Sequence, residues 1–186
     1  LEAGHRVHPR HERPLRAIGD FEIPSTKALI ERCAGIEQQA PAPFTVFIHG
    51  DFNTNNILFN PDSGRIHYID LNRSRNMDYL QDVSVFLVSN MRLPVDDEET
   101  RLRIRRVNGR MFRFARDFAH QYGDRTFEMR LALGLARSLI TSVRFDMKKT
   151  SAKRLFLLGV YLFERVMRHS RPSAEFRLPE SVFHYG

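Results

Sequence analysis

The sequence predicts an α+β fold that is mainly helical, with a short β-hairpin carrying its chemically distinctive residues. Three observations predict it. Between Thr45 and Asp70, short β-branched and aromatic runs alternate with turn formers, the pattern of paired strands. From Asp96 onward, apolar residues recur at helical spacing through three long segments. The chain has 186 residues and is 42% hydrophobic, which suits one domain with a real core.

Taken in order, residues 1–24 read as a polar connector. His5, His8 and His11 recur at a spacing of three among Arg and Pro. Pro9 and Pro14 disfavour a helix that would stack them as metal ligands, and no Cys or carboxylate pattern completes a site. Pro24-Ser25-Thr26 is a capping signal for a helix over residues 27–38. Ala40-Pro41-Ala42-Pro43 ends it and delivers the chain to a strand at 45–48. A second apolar run follows at 56–59, then a turn at 60–64 containing Pro61, Asp62 and Gly64. Residues 65–69 alternate as a third strand that ends at Asp70.

Residues 72–76 read as a polar loop. A helix is expected at 82–91, with Asp82 near its positive N-terminus and Pro94 breaking it. Asp96-Asp97-Glu98-Glu99 opens a long helix to about residue 122, since acidic residues in a first turn complement the helix dipole. Its expected apolar stripe is Leu102, Val107, Met111, Phe114, Ala115 and Phe118, and Gly123 stops it. Further helices are expected near 126–145, with Leu131, Leu135, Leu139 and Val143 inward, and near 151–169, with Leu155, Leu158, Leu162 and Val166 inward. The tail from Pro172 reads as irregular.

The most informative stretch is His49-Gly50-Asp51-Phe52-Asn53-Thr54-Asn55-Asn56, followed by Ile69-Asp70. The order is strand, loop, strand, turn, strand, carboxylate, so the hairpin returns Asp70 beside Asn56. An Asp, an Asn and a second Asp are what the catalytic side of a metal-dependent phosphoryl transfer site needs. One carboxylate takes or orients a hydroxyl proton, while the Asn oxygen and the later carboxylate hold Mg²⁺ on the phosphates. Mg²⁺ takes few, hard oxygen ligands and keeps water, so two side chains plus phosphates suffice.

This stretch, from Phe47 to Val88, resembles the C-terminal lobe of the aminoglycoside phosphotransferase and choline kinase group, which has the protein-kinase-like fold. The resemblance rests on His49-Gly50-Asp51, Asn56, Ile69-Asp70 and Asp82 at their spacings. It implies that Asp51 is the catalytic base, that Asn56 and Asp70 are Mg²⁺ ligands, and that His49 and Asp82 brace the loop. It also implies ATP as co-substrate and a small-molecule hydroxyl as acceptor. Asn53 and Asn55 stand where the group usually has His and Gly, and Leu71 where it has an aromatic residue. Arg73 and Arg75, just past Asp70, are candidates to meet a phosphate or an acidic substrate, the alternative being solvated loop cations.

A kinase of this kind also needs a β-rich N-lobe with a phosphate-covering loop and a Lys. The 48 residues before His49 hold one Lys, Lys27, and Gly4, Gly19 and Gly35 form no Gly-rich loop. The expectation is therefore a C-lobe whose N-lobe belongs to a longer polypeptide, with negligible phosphoryl transfer by these residues alone. Within it, residues 1–24 are the connector, 25–95 the first helix and catalytic segment, 96–170 a helical subdomain and 171–186 a tail.

Charge divides the chain. Residues 1–100 hold ten Lys and Arg against fifteen Asp and Glu, a net of −5, while residues 101–186 hold nineteen against seven, a net of +12. The acidic half suits a Mg²⁺ site. The basic half raises a rival reading, binding of nucleic acid or an anionic membrane through arginines such as Arg101, Arg105, Arg113 and Arg116. Their spacing wraps around much of the helix, which disfavours it. A second rival is a non-catalytic kinase-like module that binds or regulates. Metallophosphoesterases, which also use Gly-Asp motifs, need Asp-x-His and Asn-His patterns that are missing. Cys33 alone excludes an internal disulfide framework and is consistent with a reducing cytoplasm. No transmembrane stretch or signal peptide is visible.

Overall fold

The computed structural model describes residues 15–18, 21–23, 25–142, 149–169, 172 and 174–184. His5, His8, His11, Val143 and the end of the helix expected to reach residue 145 lie outside them. Mainly helical α+β architecture is what these residues form, with three small two-stranded antiparallel sheets.

Inside the expected connector, β1 (Leu15–Ile18) and β2 (Phe21–Ile23) pair with each other. Ser25 then caps α1 (Thr26–Gln38), its hydroxyl accepting from the Ala28 N–H at 3.2 Å. The strands β4 (Ile57–Asn60) and β5 (Arg65–Tyr68) form the expected hairpin, with Ile57 opposite Tyr68 and Asn60 opposite Arg65. The turn between them uses Gly64 at φ 65°, a left-handed angle that glycine adopts without cost.

Besides β1 and β2, a further strand was not legible. Arg75 and Asn76 sit in the stretch read as a polar loop, yet β6 (Arg75–Met77) pairs antiparallel with β3 (Val46–Ile48). Its residues are not strand formers. The ladder forms because the hairpin and a tight turn at Leu71–Arg73 bring it back alongside β3.

The helical body is built on α4 (Phe127–Ser142). A helix apolar all round must be buried, and this one buries Leu131, Leu135 and Leu139 together with Met129, Ala132, Leu133 and Ala136. Helix α2 (Leu80–Met91) lies against it at Gly134, where a Cβ would come within 3.1 Å of the Ser84 hydroxyl. Helix α5 (Lys149–Met167) lies against it at Gly159 and turns the expected Leu155, Leu158, Leu162 and Val166 into the core. Helix α1 packs on α5, where buried Cys33 points its thiol at the Phe163 carbonyl.

Helix α3 (Glu98–Gln121) corrects the expected stripe. Leu102, Val107 and Phe114 are exposed, and the buried line is Asn108, Phe112, Ala115 and Ala119. The periodicity was masked because the inward face includes an amide. Asn108 accepts from the Asn90 side chain at 3.0 Å, so this polar residue is satisfied inside the core. The tail is a second correction. Residues 180–184 form a 3-10 turn, and Phe176, Leu178, Val182 and Phe183 are buried. Four apolar side chains in eight residues give that segment reason to dock. The Glu128 carboxylate receives the Leu178 N–H at 2.6 Å.

A buried charge knot joins the start of α2 to the start of α4. The guanidinium of Arg130, 3% exposed, donates to Asp78 and to the fully buried Asp124. The Tyr79 hydroxyl donates to Asp124 at 2.7 Å, and Arg130 Nε donates to the Thr126 hydroxyl at 3.2 Å. Burial, and then the hydrogen bond to Asp124, push the Tyr79 phenol above its ordinary range. Asp78 also caps α2 through the Leu80 N–H at 3.0 Å.

Two measurements follow from this packing. Arg130→Met strands two carboxylates and should lower stability by about 3–5 kcal/mol in urea unfolding, whereas an unchanged midpoint would mean the knot contributes nothing. Burial raises the Cys33 thiol from 9.0 to about 12. The protonated thiol therefore stabilises the fold below pH 9, and that contribution is lost as pH rises toward 12. At pH 8 Cys33 should resist alkylation until the chain unfolds, and rapid native labelling would contradict its burial.

Candidate active site

The loop from His49 to Asn56 lies between β3 and β4, and a carboxylate of α2 ties its first two residues to the helical body. Asp82, in the first turn of α2, accepts from the His49 N–H at 2.7 Å and from the Gly50 N–H at 2.9 Å. Two consecutive amides on two oxygens fix both position and orientation. The His49 carbonyl accepts from the Ser74 hydroxyl at 3.2 Å.

The His49 ring completes the brace. Its Nδ1 lies 3.3 Å from the Asp51 N–H and its Nε2 lies 2.9 Å from the Ile69 carbonyl. An amide can only donate and a carbonyl can only accept, so the tautomer that satisfies both carries its proton on Nε2. Through this ring the loop is linked to the residue just before Asp70.

Gly50 is required at its position twice over. Its φ is 84°, and a Cβ there would lie 2.3 Å from the Arg73 carbonyl oxygen. Loop and returning segment touch backbone to backbone at this point.

Asp51 uses both carboxylate oxygens. Oδ1 accepts from the Asn53 amide at 3.0 Å, and Oδ2 pairs with Arg73 Nη1 at 3.1 Å. Asn56 is buried, and its amide nitrogen donates to the Asp51 carbonyl at 2.9 Å. That bond sets the amide rotamer and leaves its oxygen without a partner among the described residues. The Asn56 carbonyl accepts from the Ile69 N–H at 3.1 Å, which places Asp70 two residues beyond the end of the hairpin ladder at Tyr68.

Asp70 adopts φ 59° and ψ 51° and is the sole non-glycine residue at positive φ among those described. Asp tolerates this region better than most residues, but still at a cost of about 1 kcal/mol. Its carboxylate makes no capping bond and is exposed. The uncommitted donors are therefore one amide oxygen, on Asn56, and one carboxylate, on Asp70. Both are hard oxygen ligands and suit Mg²⁺. Among the described residues no cluster of three or more His, Cys, Asp or Glu forms a metal cage. Two oxygen ligands completed by phosphates and water fall below that count.

Of the residues singled out by sequence, the structure brings His49, Asp51, Asn56, Asp82 and Arg73 into one bonded set, with Asp70 adjoining through Ile69. It leaves Arg75 on exposed β6, its guanidinium beside the Met77 sulfur at 3.3 Å. Three contributors went unread. Asn53 holds Asp51 and also accepts from the Asn55 N–H at 2.9 Å. Its placement two residues after an Asp and two before an amide is the signal of a local Asx turn. Ser89 caps the loop at the Thr54 N–H, 3.2 Å away. It follows Asp82 by seven residues, so both lie on one face of α2. Phe52 stacks on Phe86 of that same helix at 5.6 Å between ring centres.

A family model described as the phosphotransferase enzyme family, APH, matches residues 5–139, from before β1 to the last turn of α4. No curated protein matches the chain, and no solved structure does. The matched span covers most of the sequence and contains every residue of the loop, the hairpin and the Asp82 brace. This chain therefore belongs to the APH phosphotransferase enzyme family.

Proposed function

We propose that this chain provides the catalytic side of a Mg²⁺-dependent phosphotransferase that moves the terminal phosphoryl group of ATP to a hydroxyl of a small molecule. The observation that carries the reading is the linkage of three oxygen-bearing side chains through backbone. Asn56 is hydrogen-bonded to the Asp51 carbonyl and to the Ile69 N–H, so Asp51, Asn56 and Asp70 cannot move independently. Fixed placement is what phosphoryl transfer asks of a protein, since the chemistry is mainly positioning and charge stabilisation.

Asp51 is the group that orients the acceptor hydroxyl and takes its proton. Arg73 shares its Oδ2 but is two-thirds exposed, so this ion pair is weak and can yield that oxygen to an incoming hydroxyl. Asn53 stays on Oδ1 and keeps the carboxylate aimed. Asn56 and Asp70 would hold Mg²⁺, which when bound neutralises charge on the phosphates. His49 keeps Asp70 in register through the Ile69 carbonyl.

The nucleotide-clamping lobe is proposed to cover the strand-bearing side of the loop. Phe47, Phe59, Ile66 and Leu71 are all more than half exposed there. Phe59 and Ile66 are cross-strand partners, so their exposed side chains adjoin and suit a covering surface.

Turnover is best read in the polypeptide that also carries that lobe, with ATP, Mg²⁺ and a pooled set of small hydroxyl compounds. Asp51→Asn should lower kcat about 10²–10⁴-fold with little change in KM for ATP. Asp70→Ala should abolish Mg²⁺-dependent turnover. Full rate in Asp51→Asn would refute the assignment of the base. Gly50→Ala should lose turnover while the helical circular dichroism is retained, because its Cβ drives Arg73 away from the loop and leaves the core intact. Normal turnover in that variant would show that the close approach is dispensable.

A further inference from the structure

Helix α3 carries seven arginines between residues 101 and 116, and the proposed reaction uses none of them. Two adjoining cavities collect most of them. One, of about 240 Å³, lies among the end of α2, the first half of α3 and α5, with Arg101, Arg105 and Arg154 in its wall. The other, of about 430 Å³, lies between α3 and the C-terminal turn, with Arg105, Arg106 and Arg113 in its wall. Phe183 and Arg105 line both, and the buried rings of Phe183 and Phe112 lie tilted against each other with centres 4.7 Å apart.

Acidic groups meet part of this cluster, and Asp97 lies beside Arg101. Glu98 pairs with Arg101 at 3.3 Å and lies 3.8 Å from Arg105. Glu180 lies in the wall and reaches Arg116 at 3.9 Å. Arg106 and Arg113, both in the wall of the larger cavity, make no ion pair among the described residues, so cationic charge remains there after these pairs are made.

The helix also departs from its own interest here. Gly109 sits in the middle of α3 and in the wall of the larger cavity. A glycine at such a position is unfavourable for a helix relative to alanine. No backbone contact requires it: an added Cβ would meet only the tip of Arg113, at 3.4 Å. At 3.6 residues per turn, Arg105, Arg106, Arg113 and Arg116 fall within an arc of about 100° around Gly109. The missing side chain opens space at the centre of the cationic face.

We propose that this cleft is a binding site for a small phosphate-bearing molecule, separate from the loop that holds Asp51. Guanidinium forks match phosphate oxygens bidentately, and a concave site with an aromatic floor suits a compact ligand. A nucleic-acid backbone would instead need a linear track. Arg103 and Arg110 project from other faces of the helix, and Arg103 is paired with Glu99.

The test is calorimetric titration of the 186-residue chain with inorganic pyrophosphate at low ionic strength. EDTA is included so that metal-assisted binding near Asp70 makes no contribution. Saturable one-site binding is expected, weakened about tenfold or more in Arg113→Gln. Gly109→Leu should fill the space and abolish binding while its thermal midpoint holds or rises. Absence of saturable binding by the wild type, or equal affinity in both variants, would overturn the site. Tighter binding of a single-stranded oligonucleotide or of anionic vesicles, unaffected by Gly109→Leu, would overturn the small-ligand reading in favour of a surface binder. Because the titration is independent of Asp51, its failure would leave the phosphotransferase reading standing, and the reverse.

Discussion

A carboxylate that receives two successive backbone N–H groups leaves those groups almost no freedom, and Asp82 does this to His49 and Gly50. Everything downstream in the site inherits its position from that contact. The Gly50 backbone can then pass against Arg73, and the His49 ring reaches both the Asp51 N–H and the Ile69 carbonyl. The charge sits in the first turn of α2, where the helix dipole favours it. Removing it would leave two loop amides unsatisfied and leave the loop held to α2 by the Ser89 hydroxyl and the Phe52–Phe86 contact.

Asp82 is only as fixed as the helix that carries it. The start of α2 is held by Asp78, which caps Leu80 and pairs with Arg130, and by Tyr79, which donates to Asp124. A buried ion network of this kind adds less stability than an apolar cluster of the same size, because desolvation offsets most of the attraction. What it adds here is registry. Four polar partners with directional bonds admit one relative placement of α2 and α4, whereas leucines would tolerate sliding. Ser84 facing Gly134 at close range imposes the same constraint by shape.

The parts of this architecture that were legible in the sequence share a property: their information is local. The loop and hairpin show through residue types at fixed offsets, and the inward faces of α4 and α5 show through leucines four apart. Strand β6 was hidden because Arg75, Asn76 and Met77 have no strand preference and pair with residues nearly thirty positions earlier. The Arg130 knot was hidden for the same reason, its partners Asp78 and Asp124 being charged residues that read as surface. Asn108 shows the converse failure: a polar residue on the inward face shifted the apparent stripe of α3 toward Leu102 and Phe114, which the structure exposes. Arg73 was singled out for its place just past Asp70, and its pairing with the Asp51 carboxylate is set by the close approach at Gly50.

Net charge misled in an instructive way. The +12 of residues 101–186 invites a single explanation, but the arginines there belong to two physical populations. Arg130 is almost wholly enclosed, neutralised by two carboxylates, and contributes nothing to the field outside. Those on α3 are half-buried or exposed, they outnumber the acids beside them, and their field reaches solvent. Composition counts both alike. Burial separates them, because a cation enclosed in a medium of low dielectric must find its counter-ion within the protein, whereas one at the wall of an open cleft can leave that role to water or to a ligand. The same residue type therefore fixes the helix that carries Asp82 and, on another helix, leaves Arg106 and Arg113 at the wall of an open cleft.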